Sequence, residues 1–342
     1  MSRHTQLRRI LSVAFLLFLV AGTVLILRRS SAQAAAWQED EGPVFGTFFS
    51  VKYQSPQRFD KEIREVLAQV DASFSIFNDS STVSRINRGD SLFSDTLLAY
   101  ALVWATRIAR ETNGAFDYTV APLVNAWGFG FKGGDFPTQA QVDSLRAFVG
   151  HEKVYWEHSM ERGGLIRRED PRTMLDFGAI AKGYGVDCVA RLLELRGVRN
   201  YYVMIGGEVF ARGKNAEGKD WAIGVEEPVD SKGELSASYS RVLHLTDCGI
   251  ATSGNYHNFY YHEGKKISHT IDPRTGRPAE TPMLSATVIA PTCMQADAYA
   301  TSFMVMGPDS ARAFLATHPD LRAYLIYEEN GERRTWQSPG LN

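Results

Sequence analysis

Cysteine is scarce in this chain. Its 342 residues hold three, Cys188, Cys248 and Cys293, far apart and without a C-x-x-C pair. An odd, scattered set excludes a disulfide framework and a cysteine-rich zinc site, and each thiol reads as a small buried apolar residue. Surplus charge is lacking too. A net charge of -2 argues against a dedicated nucleic-acid binder but leaves room for local basic patches that hold phosphates. No internal repeat recurs at a short fixed period. Two nucleotide signatures are present only in fragments. Gly128-Phe129-Gly130-Phe131-Lys132-Gly133 spells G-x-G-x-x-G, but Asp135-Phe136-Pro137 follows where a helix should open, so the segment reads as a loop. Asp176-Phe177-Gly178 spells the kinase triplet with no H-R-D or Walker lysine loop beside it.

Long apolar runs are also absent, with one exception. Ile10 to Leu27 carries no charge and is flanked by Arg3, Arg8 and Arg9 before it and Arg28 and Arg29 after it. As a helix it would span about 27 Å, close to the hydrocarbon thickness of a bilayer. Ala32-Gln33-Ala34 offers a cleavage site, but two arginines separate it from the apolar core, so an uncleaved anchor is favoured over a cleaved signal peptide. No cysteine follows to carry a lipid. Either reading exports the rest of the chain. The expected organisation is a membrane anchor or signal over 1–29, a linker over 30–42, one domain over 43–330 and a tail over 331–342.

The soluble part alternates helical and strand patterns without a βαβ rhythm. Helical spacing is read over Asp60–Phe74, Asp95–Thr112, Ala140–Val149, Gly178–Leu195, Gln295–Met306 and Ser310–Thr317. Strands are read over Phe45–Tyr53, Tyr201–Ala211, Trp221–Val225, Arg241–Leu245, Ser285–Ala290 and Arg322–Tyr327. The mixture predicts an α+β fold with mostly antiparallel pairing.

Four segments carry chemistry. Asp176 to Gly185 surrounds Lys182 with glycines at a helix entry, where small residues let the backbone approach an anion; a tight turn with a surface lysine gives the same pattern. Asp297 and Thr301 stand four apart on one helical face and offer hard oxygens suited to Mg2+, although such polar stripes are common. His269 precedes the turn Asp272-Pro273-Arg274-Thr275-Gly276, beside a strand end; a lone histidine there is structural or a proton acceptor. Ala115-Phe116-Asp117 and the stretch Pro122 to Phe129 are rich in aromatics, fit to wall a planar ring or to fill a core.

In their order and wording, these segments resemble the FAD:protein FMN transferase (ApbE) family from Phe45 to about Tyr327. Further matching stretches are Gly46-Thr47, Ser80 to Asn87, Gly206-Gly207-Glu208 and Ala251-Thr252-Ser253-Gly254. The resemblance implies an α+β architecture related to the tunnelling fold (T-fold-like). It also implies transfer of FMN from FAD to a threonine of an acceptor protein, with AMP released. By position it implies Mg2+ ligands at Ala179, Asp297, Ala300 and Thr301. FAD contacts would come from Phe45, Ala115, Phe116, Asp117, Asp176, Lys182 and Ile271, and the base would be His269. The expected partners are FAD, an acceptor subunit of an exported or membrane electron-transfer system, and the membrane through the N-terminal segment; nucleic acid is not expected. The sequence departs from the family pattern at Phe45, where methionine is frequent, and at Met204, where asparagine is common. An FAD pyrophosphatase and a non-enzymatic flavin-binding maturation protein remain as alternative readings.

Overall fold

Burial alternates along Thr47–Gln54: Phe49, Val51 and Tyr53 point inward while their neighbours are more exposed. This is the period of two that a sheet covered more heavily on one face imposes. The segment is the second of eight strands that join in chain order into one antiparallel sheet. They are β1 (Trp37–Val44), β2 (Thr47–Gln54), β3 (Tyr201–Ile205), β4 (Glu208–Arg212), β5 (Cys248–Gly254), β6 (Met283–Ala290), β7 (Arg322–Glu329) and β8 (Glu332–Gln337). The computed structural model describes residues 19–22, 36–129, 136–159, 163–228, 239–255, 259–262 and 265–341. Most of the apolar run at 10–27 therefore lies outside the described residues, as do 130–135 of the glycine-rich loop. Among the described residues no helix is long and apolar enough to cross a membrane.

Helices α1 (Asp60–Phe74), α2 (Thr82–Arg88), α3 (Thr96–Glu111), α4 (Ala121–Ala126), α5 (Gln139–Arg146), α6 (Ala181–Leu195) and α7 (Cys293–Thr317) are excursions between strands. One sheet face is covered by α1 and α6, where Ile63, Leu67, Val186, Val189 and Leu193 pack on Phe49, Val51, Val203 and Ile205. Each fully buried Val, Leu, Ile or Phe side chain contributes about 1.5–3 kcal/mol. The opposite face is covered by the hairpin of Trp221–Glu226 and Tyr239–Leu245, whose Ile223 and Leu243 join Ile250, Ile289 and Ile326.

The α+β, antiparallel expectation holds, with four corrections at boundaries. Residues 37–42, read as linker from their acidic composition, form most of the edge strand β1. Residues 332–337, read as tail, form β8, because their backbone completes the ladder with β7. Phe45 does not belong to a strand: Phe45 and Gly46 are the two central residues of a hairpin turn, both at positive φ. Tyr201–Ala211 is two strands, not one, because Gly206 and Gly207, at φ 59° and 104°, fold the chain back.

Helix α7 matters most for the site. It breaks at Gly307 (φ 76°) before Pro308, so two helices meet there, as the sequence reading has it. Between Cys293 and Val305 nearly every residue is buried, including Asp297. Its N-terminal amides are all answered. Thr292 Oγ1 accepts from Gln295 N, and the Asp187 carboxylate of α6 accepts from Cys293 N and Met294 N at 2.8 Å each. A carboxylate also suits the positive end of the helix dipole. Asp187→Ala should lower unfolding free energy by roughly 1–2 kcal/mol, the scale of a lost cap, and Asp187→Asn, which keeps only one of the two acceptor oxygens, should recover only part of it. Urea unfolding followed by circular dichroism measures this; an unshifted midpoint for the alanine variant would show that the cap contributes nothing.

Candidate functional site

The site begins with a close helix crossing. Gly183 sits in the first turn of α6, and a Cβ there would lie 2.4 Å from Cys293 O and 2.8 Å from Asp297 Cβ. Only glycine lets α6 and α7 approach this far. The approach lets Gly183 N donate to Asp297 Oδ2 at 2.9 Å, and it brings the 176–185 segment onto the helix that carries Asp297 and Thr301. Thr301 Oγ1 lies 3.1 Å from Ser253 Oγ at the end of β5.

Beside this crossing opens a cleft of about 650 Å³, lined by Phe45, Phe74, Phe77, Asn78, Asp176 and Lys182 among others. Phe45 holds a φ of 49°, a costly conformation for a bulky side chain. That turn lets its ring pack on α6, where a Cβ at Gly185 would lie 3.0 Å from Phe45 Cε2. Phe77 is 77% exposed on the rim. Its ring adds apolar surface at the edge of the cleft.

Three charges meet at Lys182, one of the residues lining the cleft. Lys182 Nζ pairs with Glu208 Oε1 at 2.5 Å, while Glu208 Oε2 is buried with no hydrogen-bond partner. Burial works against the Lys182 ammonium, but Asp297 and Glu208 together outweigh it and raise its pKa. Burial raises the carboxyl pKa of Glu208, with Asp297 adding to it and Lys182 opposing. Burial likewise raises Asp297, opposed by Lys182 and by the Gly183 amide. Asp176 is raised by burial against the amide of Gly178, which donates to its Oδ1 at 2.7 Å.

Several of the remaining sequence-assigned residues lie on the 115–129 segment and the 269–276 turn. Asp176 N donates to Tyr118 O at 2.7 Å, which ties the cleft lining to the 115–118 segment. Trp127 Nε1 donates to Gly276 O at 2.8 Å, and the rings of Phe129 and His269 are 6.3 Å apart, edge to face. Thus 115–129 and the 269–276 turn are one unit. Ile271 is buried there with Leu123, Val142 and Val149. The Asp117 side chain is engaged within the protein. Its carboxylate is consumed by Thr119 N, Thr119 Oγ1 and His151 N, with His151 Nδ1 at 3.3 Å. Ala115 and Phe116 are buried, Ala300 is fully buried, and Ala179 is half-buried at the α6 entry.

Sequence reasoning left three side chains without a role. Glu208 was legible only as the end of a Gly-Gly-Glu string, and Phe77 carries no pattern beyond being aromatic. Asp187, five residues after Lys182, would have required foreknowledge that α6 crosses the start of α7.

Known proteins similar to this chain match it over most of its length. The sequence model of the ApbE family matches residues 45–325. The chain is 35% identical over 309 residues to the FAD:protein FMN transferase of Escherichia coli, covering 87% of this chain and 86% of the relative. It is 37% identical over 304 residues to that of Haemophilus influenzae, covering 85% and 86%. Its structure is similar to the flavin transferase ApbE from Vibrio cholerae, with a TM-score of 0.79 and 33% identity over 89% of this chain and 98% of that one. The apo flavinyl transferase ApbE of Pseudomonas stutzeri gives a TM-score of 0.77 at 28% identity, covering 89% and 95%.

The helix crossing yields a direct test. Gly183→Ala should push α6 from α7 and lower stability by about 1–3 kcal/mol, the cost of an overpacked contact. Chemical denaturation of parent and variant measures it. Equal stability would mean that the two helices part freely and do not fix Asp297.

Proposed function

The chain belongs to the ApbE family, and from that premise we propose that it is an FAD:protein FMN transferase. In this reading it transfers FMN from FAD to a threonine hydroxyl of an acceptor protein, releases AMP and requires Mg2+. The observation that carries the reading is a buried carboxylate, Asp297, set beside a cation, Lys182, which lines the cleft together with the aromatic walls of Phe45, Phe74 and Phe77. A pyrophosphate needs this combination, and an isoalloxazine ring needs the walls. The donor set fits magnesium: the Asp297 carboxylate, the Thr301 hydroxyl and the Ala179 carbonyl are hard oxygens, with the Ala300 carbonyl beside them. The architecture is read as related to the tunnelling fold.

The chemistry is phosphoryl transfer. The acceptor threonine oxygen forms a bond to the FMN phosphorus, the bond from that phosphorus to the oxygen of AMP breaks, and AMP leaves. Bound magnesium supplies charge neutralisation on the pyrophosphate. Lys182 binds pyrophosphate oxygens and steadies the charge that builds as AMP departs. His269 accepts the threonine proton, without which the hydroxyl is a poor nucleophile. Asp176, with Phe45 and the 115–117 and 271 backbone, orients FAD so that the attack is in line.

The deciding experiment combines product analysis with two variants. Incubation with FAD, Mg2+ and an acceptor subunit should yield flavin on the acceptor and AMP in solution. Asp297→Ala should abolish transfer and its magnesium dependence. His269→Ala should keep FAD binding and lose roughly 100-fold or more in transfer, the scale of a lost general base. Free FMN with unlabelled acceptor would point to a pyrophosphatase, and retained FAD without AMP to a binding protein.

The apolar run at 10–27 supports a further proposal, that the chain is held in the cytoplasmic membrane with its catalytic domain outside the cytoplasm. An exported or membrane electron-transfer subunit is then the partner within reach. Fractionation of the full-length protein should find it in the membrane; a soluble form beginning near Ala35 would show a cleaved signal instead.

A further inference from the structure

We infer that Glu208 is a positioning residue for Lys182, holding its ammonium away from Asp297 so that the Asp297 carboxylate stays open to a divalent cation. The inference rests on the magnesium reading of the site given above. Lys182 comes from the first turn of α6, Glu208 from the start of β4 and Asp297 from α7. Asp297 attracts the same ammonium through space, yet Lys182 pairs with Glu208 and forms no ion pair with Asp297. Asp297 Oδ2 accepts from Gly183 N, and among the described residues its Oδ1 takes no hydrogen bond.

Stability does not explain Glu208. It is 3% exposed, and its Oε2 is buried without a partner. A half-satisfied buried carboxylate is a poor stabiliser, and a well-packed apolar side chain in its place would cost less. The backbone nevertheless takes care to place it. Gly206 and Gly207, both at positive φ, turn the chain so that β4 begins at Glu208. A Cβ on Gly206 would lie 2.8 Å from Thr47 Cγ2 and 3.5 Å from Lys182 Cδ, so the same turn also rests against the lysine stem. One tight turn therefore sets both partners of the pair. Without Glu208, Asp297 is the remaining buried anion beside Lys182, and its open oxygen would take the ammonium in place of a metal.

The test measures metal binding directly, using Mn2+ detected by electron paramagnetic resonance on the purified, FAD-free chain. Glu208→Gln, nearly isosteric, should weaken Mn2+ binding by about tenfold or more, the scale of a lost partner behind a metal ligand. The double variant Lys182→Gln/Glu208→Gln should return close to the parent affinity, because no ammonium is left to compete. A double variant no tighter than Glu208→Gln would overturn the inference, since Glu208 would then act without Lys182. Parent-like binding by Glu208→Gln would overturn it as well. Should Glu208→Gln fail to fold by circular dichroism, Lys182→Gln alone decides: affinity equal to or tighter than the parent supports the inference, and weaker binding overturns it. Asp297→Ala separates the two levels of argument. If the parent shows no Mn2+ site that this variant removes, the magnesium reading itself fails and the inference falls with it.

Discussion

The crossing of α6 over the start of α7 is the contact on which the rest of the site depends. At Gly183 the two helices come so close that a single methyl group would strike the Cys293 carbonyl. That closeness converts a backbone amide into the partner of a buried carboxylate, Asp297. One turn further along α6, Asp187 takes the first two amides of α7. The helices are thus joined by three amide-to-carboxylate hydrogen bonds, one donated by α6 and two donated by α7. Neither helix could slide along the other without orphaning a buried polar group, which is expensive away from water. Lys182 and Asp297 are next to these bonds, so their relative placement inherits that rigidity.

Two hairpin turns complete the site from the sheet side. The Phe45–Gly46 turn joins β1 to β2, and the Gly206–Gly207 turn joins β3 to β4. Because β2 and β3 are neighbours running antiparallel, both turns emerge at the same end of the sheet. Gly206 N donates to Phe48 O at 2.9 Å, and Gly206 packs on Thr47, so each turn braces the other. The strain at Phe45 is held by the α6 contact at Gly185. A side chain at left-handed φ costs energy that surrounding packing must offset, and such residues concentrate where a ligand is gripped. Sheet and helices therefore place Phe45 and Lys182 in the cleft lining, and Glu208 and Asp297 beside Lys182, by independent routes.

Much of this was legible in the sequence, for identifiable reasons. The helix at Asp60–Phe74 was read to the residue because Ile63, Leu67 and Val70 recur at helical spacing on an otherwise polar segment. The break at Gly307-Pro308 is a local steric fact and was equally visible. The glycine-flanked Lys182 and the Asp297/Thr301 spacing were found because each is a short-range pattern. What escaped was non-local. The acidic residues of β1 look like linker because an edge strand exposes its charges, and nothing local says that β2 lies alongside. Asp187 is one more polar residue on a helix until α7 meets it, and Glu208 gains meaning only from a lysine 26 positions earlier.

The degree of hydrogen-bond satisfaction separates the carboxylates that serve the fold from those held for chemistry. Asp117, His151 and Glu152 lie close enough together to resemble a metal site. Yet the Asp117 oxygens already accept from Thr119 and His151, and that spends the lone pairs a cation would use. Asp272 is spent in the same way, by both nitrogens of the Arg274 fork and by the Arg274 amide. Asp187 divides its two oxygens between two helix amides. Asp297, by contrast, has a single amide on one oxygen, and Glu208 has a single lysine on one oxygen, although both are as deeply buried as any of these. A fold under no other constraint would satisfy or remove such groups, since a buried open oxygen such as Glu208 Oε2 opposes folding. Two half-used carboxylates sharing one lysine, itself in the lining of a cleft walled by aromatic rings, are what a site looks like when its last partners arrive with the substrate.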